Sequence, residues 1–384
     1  MSRADVAVIG GGLIGLAIAT EAARHGMSVT VLEAETPGRH AASASAGGVR
    51  SLNRHPAEIA LARAALPLWA GLADRLDGDC GFAVSGQIRV AEDEAAMAAL
   101  EARAAMTRDL GWTHEEIIGH NALRRMEPGV ASHCVGALVT RDDGFADPLR
   151  TIHAYRRAAQ RLGVRIAEHC PVLAVEPGPV AVTATGRIAA RAVVNAAGAW
   201  GAEIAAGVGE PVPVEPQALQ MLVTTPLPPF VKAVIGTEGR KLSLKQTAAG
   251  HAIIGGGHLG EIAGRVGRPR PAAVAQSLAT AARVFPALSG ARLAHCWAGI
   301  EGMAADGLPV IGPSRTIAGL IHVFGFSGHG FALSPLIARI VADSMIGSEP
   351  DHALDAFDVG RFRGGAAGST GTASVNEPQG AEQR

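Results

Sequence analysis

Asp5-Val-Ala-Val-Ile is a short apolar run, Gly10-Gly-Gly12-Leu13-Ile14-Gly15 follows it, and Leu16 to His25 has helical character. Gly26 stops that helix, and Ser28-Val-Thr-Val-Leu-Glu33 is a second run closing on an acid. Glycines at these three spacings, set between a strand and a helix with an acid ending the next strand, are the pattern that holds a dinucleotide. Gly10 permits the tight turn out of the strand. Gly12 has no Cβ, so backbone can approach a pyrophosphate. Gly15 lets the helix pack close to the sheet. The helix N-terminus offers N–H groups and the positive end of a dipole to phosphates. Glu33 is placed to accept hydrogen bonds from ribose hydroxyls and disfavours a 2′-phosphate, which argues against NADP. The motif alone does not separate NAD from FAD.

Other elements must position further chemistry around this unit. Residues 36–50 are a stretch of small side chains whose backbone can lie against a flat ligand. Pro56 to Asp77 reads as helical, Phe82 to Ala91 as a strand, and Asp93 to Leu110 as a helix. Asp147-Pro148 opens another helix, with Asp147 as N-cap and Pro148 at its first position. Val164-Arg-Ile-Ala and Val172-Leu-Ala-Val read as a strand pair, and Ala192-Val-Val-Asn195-Ala-Ala-Gly198-Ala-Trp200 as a buried strand ending in small residues. Ile253-Ile-Gly255-Gly256-Gly257-His258 closes another strand. Near the end, Phe324-Gly-Phe-Ser-Gly328-His329-Gly330 runs through glycines into a helix reaching about Met345.

Composition sets the bounds. The chain has 384 residues, enough for two domains, with 48% hydrophobic and 18% charged residues. Lys plus Arg is 34 against 35 for Asp plus Glu, and no basic stripe with interleaved aromatics occurs, so nucleic acid is not an expected partner. Cys80, Cys134, Cys170 and Cys296 are far apart, which speaks against a disulfide framework and against bound metal. No apolar stretch has the length of a membrane span. Gly10–Thr20 is apolar, but Asp5 precedes it and Glu21 ends it, so a secretory signal is not expected. A reducing, cytoplasmic setting is the default expectation.

Five stretches in order resemble the D-amino acid oxidase superfamily of flavoproteins, which includes glycine oxidase, sarcosine oxidases, dimethylglycine dehydrogenase and D-hydroxyproline dehydrogenases. They are the N-terminal glycine motif with Glu33, Asn195-Ala-Ala-Gly198-Ala-Trp200, Trp297-Ala-Gly-Ile, Asp306-Gly-Leu-Pro-Val-Ile-Gly312, and Gly325-Phe-Ser-Gly-His-Gly330-Phe-Ala-Leu-Ser-Pro. The resemblance spans residues 6 to about 346. It implies FAD rather than NAD, held in an α/β, Rossmann-like domain of parallel strands and helices. A mixed, largely antiparallel α+β substrate domain would interrupt it. The expected division is 1–79, 147–213 and 294–363 for the FAD-binding domain, 80–146 and 214–293 for the substrate domain, and a disordered tail at 364–384. The expected cofactor-binding residues are Gly10, Gly12, Leu13, Ile14, Gly15, Glu33, Ala34, Ser45, Ala46, Gly47, Gly48, Val172, Ala197, Gly198, Trp200, Gly299, Gly328, His329, Gly330 and Phe331. The physical reading of the last box agrees: backbone N–H groups at a helix start can face the flavin pyrimidine, which becomes anionic on reduction. His329 is expected to act mainly through its backbone.

The resemblance also implies oxidation of a C–N bond in a small amino or imino acid, leaning to a secondary amine such as D-hydroxyproline or sarcosine. Electrons would pass to oxygen, a quinone or a partner subunit, in a homo- or hetero-oligomer. Many relatives carry Arg directly after the Trp-Ala-Gly-aliphatic stretch, and here that position is Glu301. A substrate carboxylate therefore needs another cation. Arg50 is the favoured replacement, since sarcosine-oxidase-like members place a substrate-binding Arg after this loop; Arg54 and Lys245 are weaker candidates. Arg50, His258 and Glu301 form the expected catalytic set, with His258 able to tune amine protonation near neutral pH. Tyr155, the single tyrosine, falls on the helix after Pro148, away from a catalytic role. A flavin-binding protein without catalysis is the remaining alternative, and the polar set speaks against it.

Overall fold

The computed structural model describes residues 2–349 and 351–362; the expected tail at 364–384 lies outside them. Strand β1 (Ser2–Ile9) leads into helix α1 (Leu13–Arg24) and strand β2 (Val29–Leu32). β1 is alanine- and valine-rich and buried on both faces, as a central parallel strand must be. It pairs in parallel with β2 on one side and with Gly186–Asn195 on the other. Arg165–Ala167 extends the parallel set beyond β2, and Leu320–Phe324 extends it beyond Gly186–Asn195. The strand order thus reverses beside β1, opening a crevice at the carboxyl ends of the strands. Four loops leave those ends: Gly10–Gly15, Glu33 onward, Asn195–Gly198 and Gly325–Gly330. Parallel direction alone puts all four at one edge.

A second sheet has the order Leu293–Ala304, Val214–Thr224, Ala252–Gly255, Ser243–Gln246, Val234–Thr237, Gln87–Ala91, Gly136–Thr140, Glu116–Gly119. Its neighbours are antiparallel except for Val234–Thr237 against Gln87–Ala91. That parallel contact joins chain segments far apart in sequence into one sheet. Each sheet has its own core. One cluster gathers α1, the long helix Gly330–Met345 and α3 (Pro56–Ala70), with Trp69 at 5.0 Å from Phe331. The other lies under the second sheet around Ile88, Leu244 and Phe285. Among the described residues no helix is long and apolar enough to cross a membrane.

Three sequence expectations are corrected. The 12-residue strand Leu293–Ala304 pairs along its length with the 11-residue strand Val214–Thr224. It belongs to the second sheet, so the boundary expected at 293/294 moves past Ala304. Arg165–Ala167 and Val172–Glu176 do not pair with each other. The first follows a helix that returns the chain parallel to β2, and the second forms a hairpin with Val180–Thr183. The single strand expected over Phe82–Ala91 is split at Gly86, whose φ of 72° turns the chain. Ala83–Val84 joins Gly48–Val49 and Gly144–Phe145 in a small sheet between the two large ones.

Candidate active site

The first glycine motif seats α1. A Cβ on Gly15 would stand 2.0 Å from the carbonyl oxygen of Gly10, and one on Gly10 would stand 2.5 Å from that of Ala196. These two glycines bring the helix onto the strand ends. A Cβ on Gly12 would meet nothing within 4 Å. The same open space lies over Gly48, Gly198 and Gly328. α1 has no side-chain N-cap and no acid in its first turn, and the same is true of Gly330–Met345. Two helix starts without a side-chain cap from their N-cap residues therefore lie at one end of the parallel sheet. That donor set fits a long anionic cofactor: pyrophosphate at Gly12, Leu13, Ile14 and Gly15, and the electron-accepting ring near Gly328–Gly330.

Glu33 is buried at the end of β2. It accepts the Gly11 N–H at 2.6 Å and the Glu35 N–H at 2.7 Å, which aims its carboxylate beside the first glycine turn. Its backbone N–H and C=O pair with Ala167 and Cys170, so the loop leading to Val172 lies next to Glu33 and Ala34. Ser45 Oγ accepts the Gly47 N–H at 2.9 Å, shaping the turn through Ala46 to Gly48. Ala197 N–H reaches Asn195 Oδ1 at 3.4 Å. Two residues of the expected cofactor set also have packing roles. A Cβ on Gly299 would stand 2.3 Å from Ala44 Cβ, so that glycine seats the short helix α2 (Ala41–Ala44) on the long strand. Phe331 packs its ring on Trp69, leaving only its backbone for the helix start.

The residues expected to meet the substrate come from distant segments. The Arg50 loop is pinned by Asp143, fully buried, which accepts Ser51 N–H, Ser51 Oγ–H, Leu52 N–H and Thr140 Oγ1–H at 2.6–2.9 Å. The Arg50 side chain itself has one partner among the described residues, the Leu52 carbonyl at 3.5 Å. Burial, then the guanidinium groups of Arg54 and Arg89, push Arg50 down to about 9, so it keeps its charge at neutral pH. A confined cation with no carboxylate partner is a site for an anion. Arg54 is more deeply buried, donates to the Arg50 carbonyl at 3.2 Å, and leaves Nη1 without a partner among the described residues. It stands behind Arg50.

His329 carries more than its backbone. Its Nδ1 lies 2.8 Å from Glu58 Oε2. Burial, then the charge of Arg54, lower the imidazole to about 4, so it is neutral at pH 7 and Nδ1–H donates to Glu58. Burial raises the Glu58 carboxyl, but the His329 bond and the charges of Arg54 and Arg50 outweigh this and hold it low. Glu58→Ala takes away the carboxylate that most offsets the burial of Arg54, and the expected cost is about 3–5 kcal/mol in urea denaturation. In the intact protein both groups bind their protons less readily when folded. Stability therefore falls as pH drops from about 6.5 through the lowered His329 value and on into the Glu58 titration. A loss under about 1 kcal/mol in Glu58→Ala would show that this pairing does not hold Arg54.

Glu301 lies on the long strand and accepts the Gly328 N–H at 2.6 Å through Oε1. Oε2 has no protein partner among the described residues. Burial raises this carboxyl, only partly offset by the Gly328 bond. Glu301 thus holds Gly328, the neighbour of His329, and His329 holds Glu58, whose carboxylate feels Arg54 and Arg50; no contact among the described residues joins Glu301 to either arginine. Lys245 is buried with Nζ 4.4 Å from the Phe145 ring, and burial lowers it to about 8. His258 stands apart: its contacts are to Lys241 and the Gln220 backbone, and its Nε2 is unpartnered among the described residues. No contact among the described residues joins it to Arg50 or Glu301. Tyr155 is buried in the core around α1, as expected. Glu58 and Asp143 were not singled out in the sequence. Glu58 falls in the first turn of α3 and Asp143 between two strands, and neither position tells which way a side chain faces.

The model of the family described as DAO, FAD dependent oxidoreductase, matches residues 5–344. The chain is 30% identical over 374 residues to a glycine oxidase of Geobacillus kaustophilus (strain HTA426), covering 94% of this chain and 98% of the relative. It is 27% identical to an opine oxidase subunit of Rhizobium meliloti, covering 94% and 98%. The crystal structure of glycine oxidase from Geobacillus kaustophilus superimposes with a TM-score of 0.88 at 28% identity, covering 95% of this chain and all of that one.

Proposed function

This chain belongs to the DAO family of FAD-dependent oxidoreductases, and on that footing we propose that it oxidises the C–N bond of a small secondary amino acid, of the class of D-hydroxyproline or sarcosine. It is an FAD enzyme that oxidises amino acids; the choice of secondary amine is our reading. The observation that carries it is the confined guanidinium of Arg50, whose one hydrogen-bond partner among the described residues is the Leu52 carbonyl at 3.5 Å. Arg50 would take the carboxylate. Glu301 has one oxygen committed to Gly328 and one free, and that free oxygen matches the single N–H of a neutral secondary amine.

FAD, when bound, supplies the hydride acceptor. Gly12 to Gly15 and Glu33 would hold its adenosine half. The N–H at Gly330 and the helix dipole behind it would favour negative charge, and so favour the reduced cofactor; the N–H groups of Gly328 and His329 are already given to Glu301 and to the Phe326 carbonyl. Glu58 fixes the His329 ring as a neutral donor, which steadies the start of that helix. On this reading Arg50 would hold the carboxylate and Glu301 the amine, which would leave the α-hydrogen one orientation. Glu301 in its ionised form accepts the amine N–H and holds that nitrogen's lone pair free.

The deciding experiment is anaerobic bleaching of the yellow protein against a panel of D-, N-methyl and cyclic amino acids. N-methyl or cyclic members should bleach it fastest. No bleaching by any of them would sink the proposal. A further expected result concerns pH. Because burial raises Glu301, kcat/KM should fall on the acid side at a midpoint above the ordinary carboxylate range. Glu301→Gln should abolish that limb and lower kcat/KM by about ten- to a hundredfold. The limb set by the substrate amine itself should remain.

A second reading rests on the likeness to the opine oxidase chain, which is named as one subunit of that enzyme. On that reading the present chain is the flavoprotein of a hetero-oligomer, passing electrons to a partner and not to oxygen. Fast dye reduction beside negligible oxygen uptake, with a copurifying polypeptide, would favour it. The four cysteines are free thiols, in keeping with the cytoplasmic setting we propose.

A further inference from the structure

The glycine run before His258 has no place in the site above, but it roots a projecting hairpin. Glu261–Ala263 and Val266–Arg268 pair antiparallel with each other. The hairpin starts after Gly256 and Gly257, with φ of 119° and 95°, conformations open to glycine. Its base is fixed on the second sheet. Gly260 N–H donates to the Ala218 carbonyl at 2.8 Å, and a Cβ on Gly267 would stand 2.8 Å from the Ala298 oxygen. His258 sits buried at this root.

Its tip crosses to the other domain. Arg265 donates through Nε to Glu35 Oε1 at 2.8 Å, and its guanidinium lies 4.0 Å from the centre of the Trp200 ring. Glu35 also holds Arg39 at 2.6 Å and lies 3.3 Å from His40, whose ring is 4.6 Å from Trp200. Glu35 is two residues beyond Glu33, and Trp200 closes the Asn195–Trp200 loop. Both are carboxyl-end loops of the parallel sheet. The tip therefore clasps, from outside, the two loops that flank the adenosine half of the cofactor site.

We infer that the 259–268 hairpin is a strap that retains FAD, with Arg265 as its clasp on Glu35 and Trp200. With its base fixed on the second sheet, it must release the Arg265 contacts for FAD to enter or leave. The strap comes from the substrate sheet, so it also ties that sheet to the cofactor loops. The inference rests on FAD lying at the head of α1.

The test is FAD release from the purified holoenzyme, followed by the rise in flavin fluorescence on dilution. Arg265→Ala should speed release about 5- to 30-fold, the combined loss of a surface ion pair and a cation–π contact. Arg265→Lys, which keeps charge without the planar stack, should fall between. Release from the native protein should quicken with salt, and release from Arg265→Ala much less so. Release rates within twofold of the native in both Arg265→Ala and Glu35→Gln, with unchanged thermal unfolding of the apoprotein, would overturn the strap. Flavin that stays with acid-precipitated protein would overturn it too, since a covalent cofactor needs no clasp. A native protein that takes up no FAD would instead overturn the cofactor reading beneath it.

Discussion

Arg50→Ala should lower kcat/KM for amino-acid substrates by about 30- to 1000-fold, with most of the loss in KM. The argument starts from what Arg50 touches. Among the described residues its guanidinium has only a long contact to the Leu52 carbonyl, so its charge is left for a ligand. Its loop is held by Asp143 through Ser51, Leu52 and Thr140, and none of those bonds uses the Arg50 side chain. Removing the side chain should therefore leave the fold in place. It should even relieve repulsion with Arg54 and Arg89 and stabilise the protein slightly. A carboxylate brought to the site without its cation pays desolvation unrepaid, which is why the loss is large. The check is steady-state kinetics with an amino acid and its amide. The amide should be poor in the native enzyme and nearly indifferent to the substitution. An unchanged KM for the acid would remove Arg50 from the site.

Gly12→Val should abolish retention of FAD and leave the apoprotein's stability within about 1 kcal/mol of native. Gly12 has φ −69° and ψ −179°, extended backbone that any residue adopts. Its absent Cβ would meet no protein atom within 4 Å. A side chain there is tolerated by the chain and fills the space where backbone must meet pyrophosphate. The expected loss of affinity is at least about a hundredfold, read by FAD titration of the apoprotein. Gly15→Ala is the contrast. Its Cβ would stand 2.0 Å from the Gly10 oxygen, so α1 itself must shift and the apoprotein should lose stability as well. Equal FAD affinity in Gly12→Val and the native protein would mean that the cofactor does not cross Gly12.

The unit proposed to hold the adenosine half was legible in the sequence because it is nearly contiguous. Gly10, Gly12, Gly15 and Glu33 lie within one strand–helix–strand unit, where local periodicity and glycine spacing decide the geometry. The Asn195–Trp200 and Gly325–Gly330 boxes were legible for the same reason: each is a strand end running through small residues. Parallel pairing then brings them to one edge, as the βαβ rule requires. Asp147 capping its helix before Pro148 was likewise a local matter.

The substrate half was decided by tertiary structure. Arg50, Glu58, Asp143, Glu301 and His329 come from five separate segments, and no spacing relates them. Whether Glu58 is a solvated helix acid or the partner of His329 depends on which face α3 turns to the helix at Gly330, and that is set by core packing. The same holds for His258, a plausible acid–base group in sequence that pairing of the second sheet places at the root of a hairpin. The strand Leu293–Ala304 left its expected domain because its long antiparallel partner lies about 70 residues upstream. The sequence by itself determined the strand–helix–strand unit with glycines at 10, 12 and 15 and with Glu33 ending its second strand. Only the folded chain decided which charges meet beside Gly328, because burial and pairing between distant segments are properties of the packed molecule.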